Sequence, residues 1–203
     1  MLELVHHIER MKGYFLDDKR IIRFVSKRPG NSDLAVIGEK VALLIGRAHV
    51  DFEVRESVCQ SIRKLNIDHM LAEGKASVVS MIAGENHPIP DALHFASLYC
   101  AAHQPWLYPI YNSYSARIAA SFTGQPFIDQ DYYDYWQQAH QLKAICKMQA
   151  LNFFDINKLF WIYQDQLMFS FNSNLNRNEA TLGNQYNHSF VNNESPDIGT
   201  KTI

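Results

Sequence analysis

The chain has 203 residues, 47% of them hydrophobic and 20% charged, and its formal net charge is −2. Those proportions suit one domain with a real core and exclude wholesale disorder. The near-neutral balance speaks against a broad basic face for gripping nucleic acid, yet it permits a local patch, because distribution matters more than the sum.

Cys59, Cys100 and Cys146 lie far apart with no CxxC pair. An iron–sulfur cluster or a cysteine-built zinc site is therefore not expected. Their apolar surroundings point to reduced thiols and a cytoplasmic protein. The first residues are acidic where a signal peptide would be basic, and no apolar run approaches the roughly 18 residues that span a bilayer, so no membrane role is expected.

Leu2, Val5, Ile8 and Met11 recur at three-residue spacing and predict a helix over 2–12. The apolar pattern resumes from Phe15 to Val25 and stops at the turn signal Pro29-Gly30. Lys19, Arg20, Arg23, Lys27 and Arg28 form the strongest positive patch in the chain. Such a patch is either a solvated helix face or a contact for nucleic acid or an acidic partner. Asn31-Ser32-Asp33 can cap a helix over about 33–50, with Leu34, Ile37, Val41 and Leu44 on one face. A second amphipathic segment covers 51–66, and a third runs from Asp68 to Gly84.

Residues 84–90 hold two prolines two apart and read as a tight linker. A helix from Asp91 to Ala102 follows, with Pro90 suited to its first turn. The fourteen residues Gln104–Arg117 hold two prolines and four aromatics, and read as a stiff loop leading into a helix capped by Asn112, Ser113 to Phe122. Asp129 and Asp131 open a long helix over about 131–150, and Asp155 is placed to cap a last one. No stretch alternates as a strand would, so the expected class is all-α. We expect one helical domain over 1–171, in lobes of about 1–83 and 84–171, followed by a polar, asparagine-rich flexible tail over 172–203.

Phosphate-cradling glycine loops and a serine elbow are absent. His87, His94 and His103 match no metal spacing, so neither a metal nor a cofactor is expected. Asp91, Asp129, Asp131 and Asp134 suit acid–base work, but each also sits where a helix cap or dipole partner belongs. The aromatics between 106 and 136 either pack helices or wall a pocket for a flat heterocycle.

The run Ala92-Leu93-His94-Phe95, then Pro105, Tyr108-Pro109-Ile110-Tyr111-Asn112-Ser113-Tyr114 and Ala116-Arg117, resembles the helix-hairpin-helix DNA glycosylase superfamily, in particular its bacterial 8-oxoguanine-glycosylase-like branch. Asp155-Ile156-Asn157-Lys158-Leu159-Phe160-Trp161-Ile162-Tyr163 resembles that branch's closing helix. The resemblance covers about 75–167 and implies a compact, two-lobed helical fold. The branch's catalytic aspartate falls on Asn112, and its lysine falls on Asp91 or Ala92. Its phosphate-holding hairpin falls on His87-Pro88-Ile89-Pro90, where two prolines remove two N–H donors. The implied protein is glycosylase-like but without standard glycosylase or lyase chemistry. It recognises a nucleobase-like ligand, DNA or a partner protein, in a bacterial antiphage system where members of the branch serve as accessory proteins. Asn112 and Asp91 hold the catalytic positions, and Tyr108, Tyr111, Arg117, Tyr133 and Trp136 are the implied ligand contacts. The alternatives are an active monofunctional glycosylase that uses Asp91 or the aspartates at 131–134, and a protein-binding scaffold without chemistry.

Overall fold

A computed structural model of the chain describes residues 16–45, 54–84 and 91–162. Met1–Tyr163 form one compact unit; Gln164–Ile203 are a second, and none of its residues is among those described. The expected helix over 2–12, the prolines of the 84–90 linker and the tail over 172–203 lie outside the described residues. These hold nine helices and no strand. They are α1 Leu16–Ser26, α2 Leu34–Ile45, α3 Arg55–Leu65, α4 Asp68–Ala72, α5 Ser77–Ala83, α6 Ala92–His103, α7 Ser113–Thr123, α8 Tyr132–Ile145 and α9 Phe153–Ile162. No described helix is long and apolar enough to cross a membrane.

The centre of the unit is α6. Its sequence is apolar all round, and every residue from Phe95 to Ala102 is buried. It packs against α1, α2 and α5. Burying a side chain such as Phe95 or Leu98 contributes about 1.5–3 kcal/mol. Short polar side chains start the helices as expected. Asp33 accepts from the Ala35 N–H at 2.8 Å, Asn112 from Ser115 at 2.7 Å and Asp131 from Asp134 at 3.0 Å.

Three boundaries differ from expectation. The segment 68–84 is two helices, broken at Gly74, whose φ of +73° favours glycine. The long helix ends at Ile145, because Lys147 adopts φ 53° and the Met148 N–H turns back to the Lys143 carbonyl at 2.9 Å. The last helix is capped by Asn152, which accepts from the Asp155 N–H at 3.1 Å; Asp155 sits in the first turn instead.

The loop between α6 and α7 shows what the tyrosines do. An extended buried segment must find partners for its backbone. The Pro105 carbonyl takes the Phe153 N–H at 2.8 Å, and Leu107 takes Trp136 Nε1 at 2.9 Å and His140 Nε2 at 3.0 Å. Pro109 takes the Tyr132 hydroxyl at 3.0 Å, and Ile110 takes that of Tyr135 at 2.9 Å. A carbonyl only accepts, so His140 carries its hydrogen on Nε2. Four side chains of α8 thus clamp the loop.

Candidate functional site

The basic cluster lies on α1 and the turn after it. Ile21 and Val25 face the core, while Lys19, Arg20, Arg23, Lys27 and Arg28 are exposed. Lys19, Arg23 and Lys27 stand at i, i+4 and i+8, so they share one face, with about 6 Å of helix between successive residues. They line a surface groove of about 440 Å³ together with Arg20 and Phe24. The Arg28 guanidinium lies 4.7 Å from the centre of the Phe24 ring and is ion-paired to Glu39. Among the described residues no carboxylate pairs with Arg20, Arg23 or Lys27, so their charge is open to a ligand.

Buried chemistry anchors this helix. Asp18 is 3% exposed and meets Lys158 of α9 at 3.4 Å; Lys158, 2% exposed, also meets Asp155 at 3.3 Å. Removing one partner of such a buried pair costs about 3–5 kcal/mol, because the other charge is stranded.

The candidates taken from the resemblance occupy a second region. Asp91 accepts from the His94 N–H at 3.4 Å at the start of α6. His94 Nδ1 stands 2.7 Å from the Tyr111 carbonyl, so it carries the hydrogen and donates it. Tyr111 directly precedes Asn112, the cap of α7. One histidine therefore brings the N-termini of α6 and α7 together. The Tyr111 hydroxyl donates to Asp129 Oδ1 at 3.1 Å and accepts from the Gln130 N–H at 2.9 Å. Burial, and then the Asp129 carboxylate, push its phenol above the ordinary range.

Tyr108 is fully buried, and its hydroxyl lies 3.2–3.3 Å from the carbonyls of Met70, Leu71 and Lys75. Trp136 Nε1 is spent on Leu107. Arg117 and Tyr133 are on the surface, Arg117 over Phe127 at 5.0 Å and Tyr133 beside Gln137.

A third group went unseen in the sequence. Lys40 is 0% exposed, and its Nζ donates to the Gly30 carbonyl at 2.8 Å and to Asn31 Oδ1 at 3.0 Å. Tyr99 donates to the same Asn31 oxygen, and Asn31 Nδ2 donates to Asp68 at 2.6 Å. Burial pulls the Lys40 amine down to about 8, against the pull of Asp68. The His103 ring lies tilted against Tyr99, 5.0 Å between ring centres; its buried Nε2 finds no hydrogen-bond partner among the described residues. Burial and the Lys40 charge hold His103 down to about 3. The group ties the turn before α2 to α4 and α6. One signal was available: Lys40 falls between Ile37 and Leu44, on the apolar face of α2.

The chain belongs to the family described as the HI_0787 N-terminal domain, whose model matches residues 1–107. No curated protein and no solved structure matches it. The matched span contains α1 to α6, and so both the basic groove and the Lys40 cluster. Asn112, Arg117, Tyr133 and Trp136 lie beyond it. Its end at Leu107 falls inside the loop that α8 clamps, so the packing continues unbroken across that boundary.

Proposed function

We infer that the chain is a glycosylase-like helical protein that binds nucleic acid and has given up standard glycosylase and lyase chemistry. The binding half of this reading is carried by one observation: the groove on α1 lined by Lys19, Arg20, Arg23 and Lys27. Phosphates are the ligand chemistry that such a line of cations suits, even on a protein of net charge −2.

The non-catalytic half rests on Asn112 and Asp91. A glycosylase extrudes a base and breaks its bond to the sugar. A carboxylate steadies the charge developing on the sugar, and a lyase adds an attacking amine. Asn112 is neutral, and its Oδ1 already accepts from Ser115. Asp91 has no amine and caps α6. The two-lobed arrangement belongs to the same reading and comes with the resemblance. The defence setting comes with the resemblance alone. A partner-protein reading draws on Phe122, Ile128 and Tyr133, large apolar side chains each about half exposed around one loop.

The test is incubation with duplex and single-stranded DNA carrying abasic sites and modified bases, followed by borohydride trapping. Retained but uncut DNA with no covalent adduct is expected. A trapped adduct overturns the non-catalytic half, and failure to retain DNA overturns the binding half. Asn112→Asp combined with Asp91→Lys is expected to gain measurable strand scission.

A further inference from the structure

We propose that the α1 groove takes a single strand, with a base stacked on Phe24 and the phosphates on the Lys19–Arg23–Lys27 line; this rests on the nucleic-acid reading above. Shape is the first reason. A helix that reads duplex DNA must protrude into a groove roughly 12 Å wide. Here the cations line an open, shallow groove of about 440 Å³, a surface along which one strand can lie.

The second reason is the aromatic among the cations. Phe24 lines the groove and is only partly buried. Arg28 lies against its ring, and Glu39 holds Arg28 there. A ring backed by a tethered guanidinium is a preorganised platform, and a cation on one side favours a π-system stacked on the other. Single-strand binders combine these two parts, a cationic track and an aromatic on which a base lies. A duplex keeps its bases stacked on one another and leaves none for Phe24.

The third reason is the charge geometry. Lys19, Arg23 and Lys27 form one row, about 12 Å long from first to last residue, with Arg20 beside it. One row follows one backbone. Arg28 is held by Glu39, so two or three phosphates are neutralised, chiefly at Arg20, Arg23 and Lys27, and binding is modest.

The experiment is fluorescence anisotropy on the full chain. The probes are a labelled oligothymidylate of about 12 nucleotides, an abasic strand of equal length, and a duplex of that length. Each is titrated between about 50 and 200 mM salt, with polyglutamate as competitor. Phe24→Leu keeps the apolar bulk and removes the ring; Arg23→Gln with Lys27→Gln removes two charges. Thermal melting shows that each variant is folded.

The thymidylate is expected to bind at least roughly tenfold tighter than the duplex or the abasic strand. Phe24→Leu is expected to cost the thymidylate roughly tenfold and the abasic strand nothing. The double variant is expected to lower the salt slope by about 1.4. Equal or tighter duplex binding that still responds to the double variant overturns the single-strand proposal and leaves the nucleic-acid reading standing. So does thymidylate binding that is indifferent to Phe24→Leu. Absence of binding, indifference to the double variant, or displacement by polyglutamate at equal charge overturns both.

Discussion

The Tyr135 hydroxyl stands 2.9 Å from the carbonyl oxygen of Ile110, 25 residues earlier in the chain. Both groups are buried. Removing the hydroxyl leaves a desolvated carbonyl without that donor. Tyr135→Phe is therefore expected to destabilise the protein by about 1–2 kcal/mol in urea unfolding. Tyr133 is 59% exposed, and Tyr133→Phe is expected to change stability by less than about 0.5 kcal/mol. Equal effects at the two sites contradict the clamp.

The buried neutral His103 makes a pH prediction. Its folded value, about 3, lies below the ordinary 6.5. The unfolded chain therefore takes the proton first as pH falls. The contribution is complete above about pH 6.5 and is lost progressively toward pH 3. From pH 7 to pH 4 this one group is expected to remove about 3 kcal/mol. Lys40 acts on it directly and the Tyr99 ring lies against it, while Asp68 acts on Lys40 and Tyr99. His103→Phe is expected to flatten that part of the profile, measured as the urea midpoint against pH. An unchanged profile contradicts the assignment.

Gly74 and Gly124 separate backbone strain from crowding. Their φ angles are close, +73° and +68°. A Cβ at Gly74 would meet Leu107 Cδ1 at 3.0 Å, whereas one at Gly124 meets nothing within 4 Å. Gly124→Ala is expected to cost about 1 kcal/mol, the backbone part alone. Gly74→Ala is expected to cost up to about 2 kcal/mol more, since Leu107 sits in the clamped loop and has little room to give. Equal losses in thermal unfolding would show that Leu107 moves aside freely.

Local chemistry made much of the fold legible. The caps at Asp33, Asp91, Asn112 and Asp131 are where short polar side chains before apolar runs placed them. The end of α8 was hidden, because Lys147 takes the left-handed position that glycine usually marks. The break at Gly74 was hidden because the apolar period runs straight across it. At the candidate site, the basic residues were legible as a cluster, but their concave setting around Phe24 was not. The aromatics were legible as a group, but their partners were not. Tyr132 and Tyr135 donate to carbonyls 23 and 25 residues away, and Tyr99 reaches Asn31 across 68 residues. Period and propensity carry no record of such distances. Lys40 on the apolar face of α2 was a local conflict that marks a buried polar group, and Lys158 among the apolar residues of α9 was another.

The central claim is that the groove on α1 binds nucleic acid. Its most direct test is DNA retention by the full chain carrying Arg23→Glu and Lys27→Glu, beside the unaltered protein. Both positions are exposed, so melting temperature is expected to stay the same. The account predicts that the unaltered protein retains DNA at low salt and that the double variant does not. Equal retention by the two proteins would contradict it.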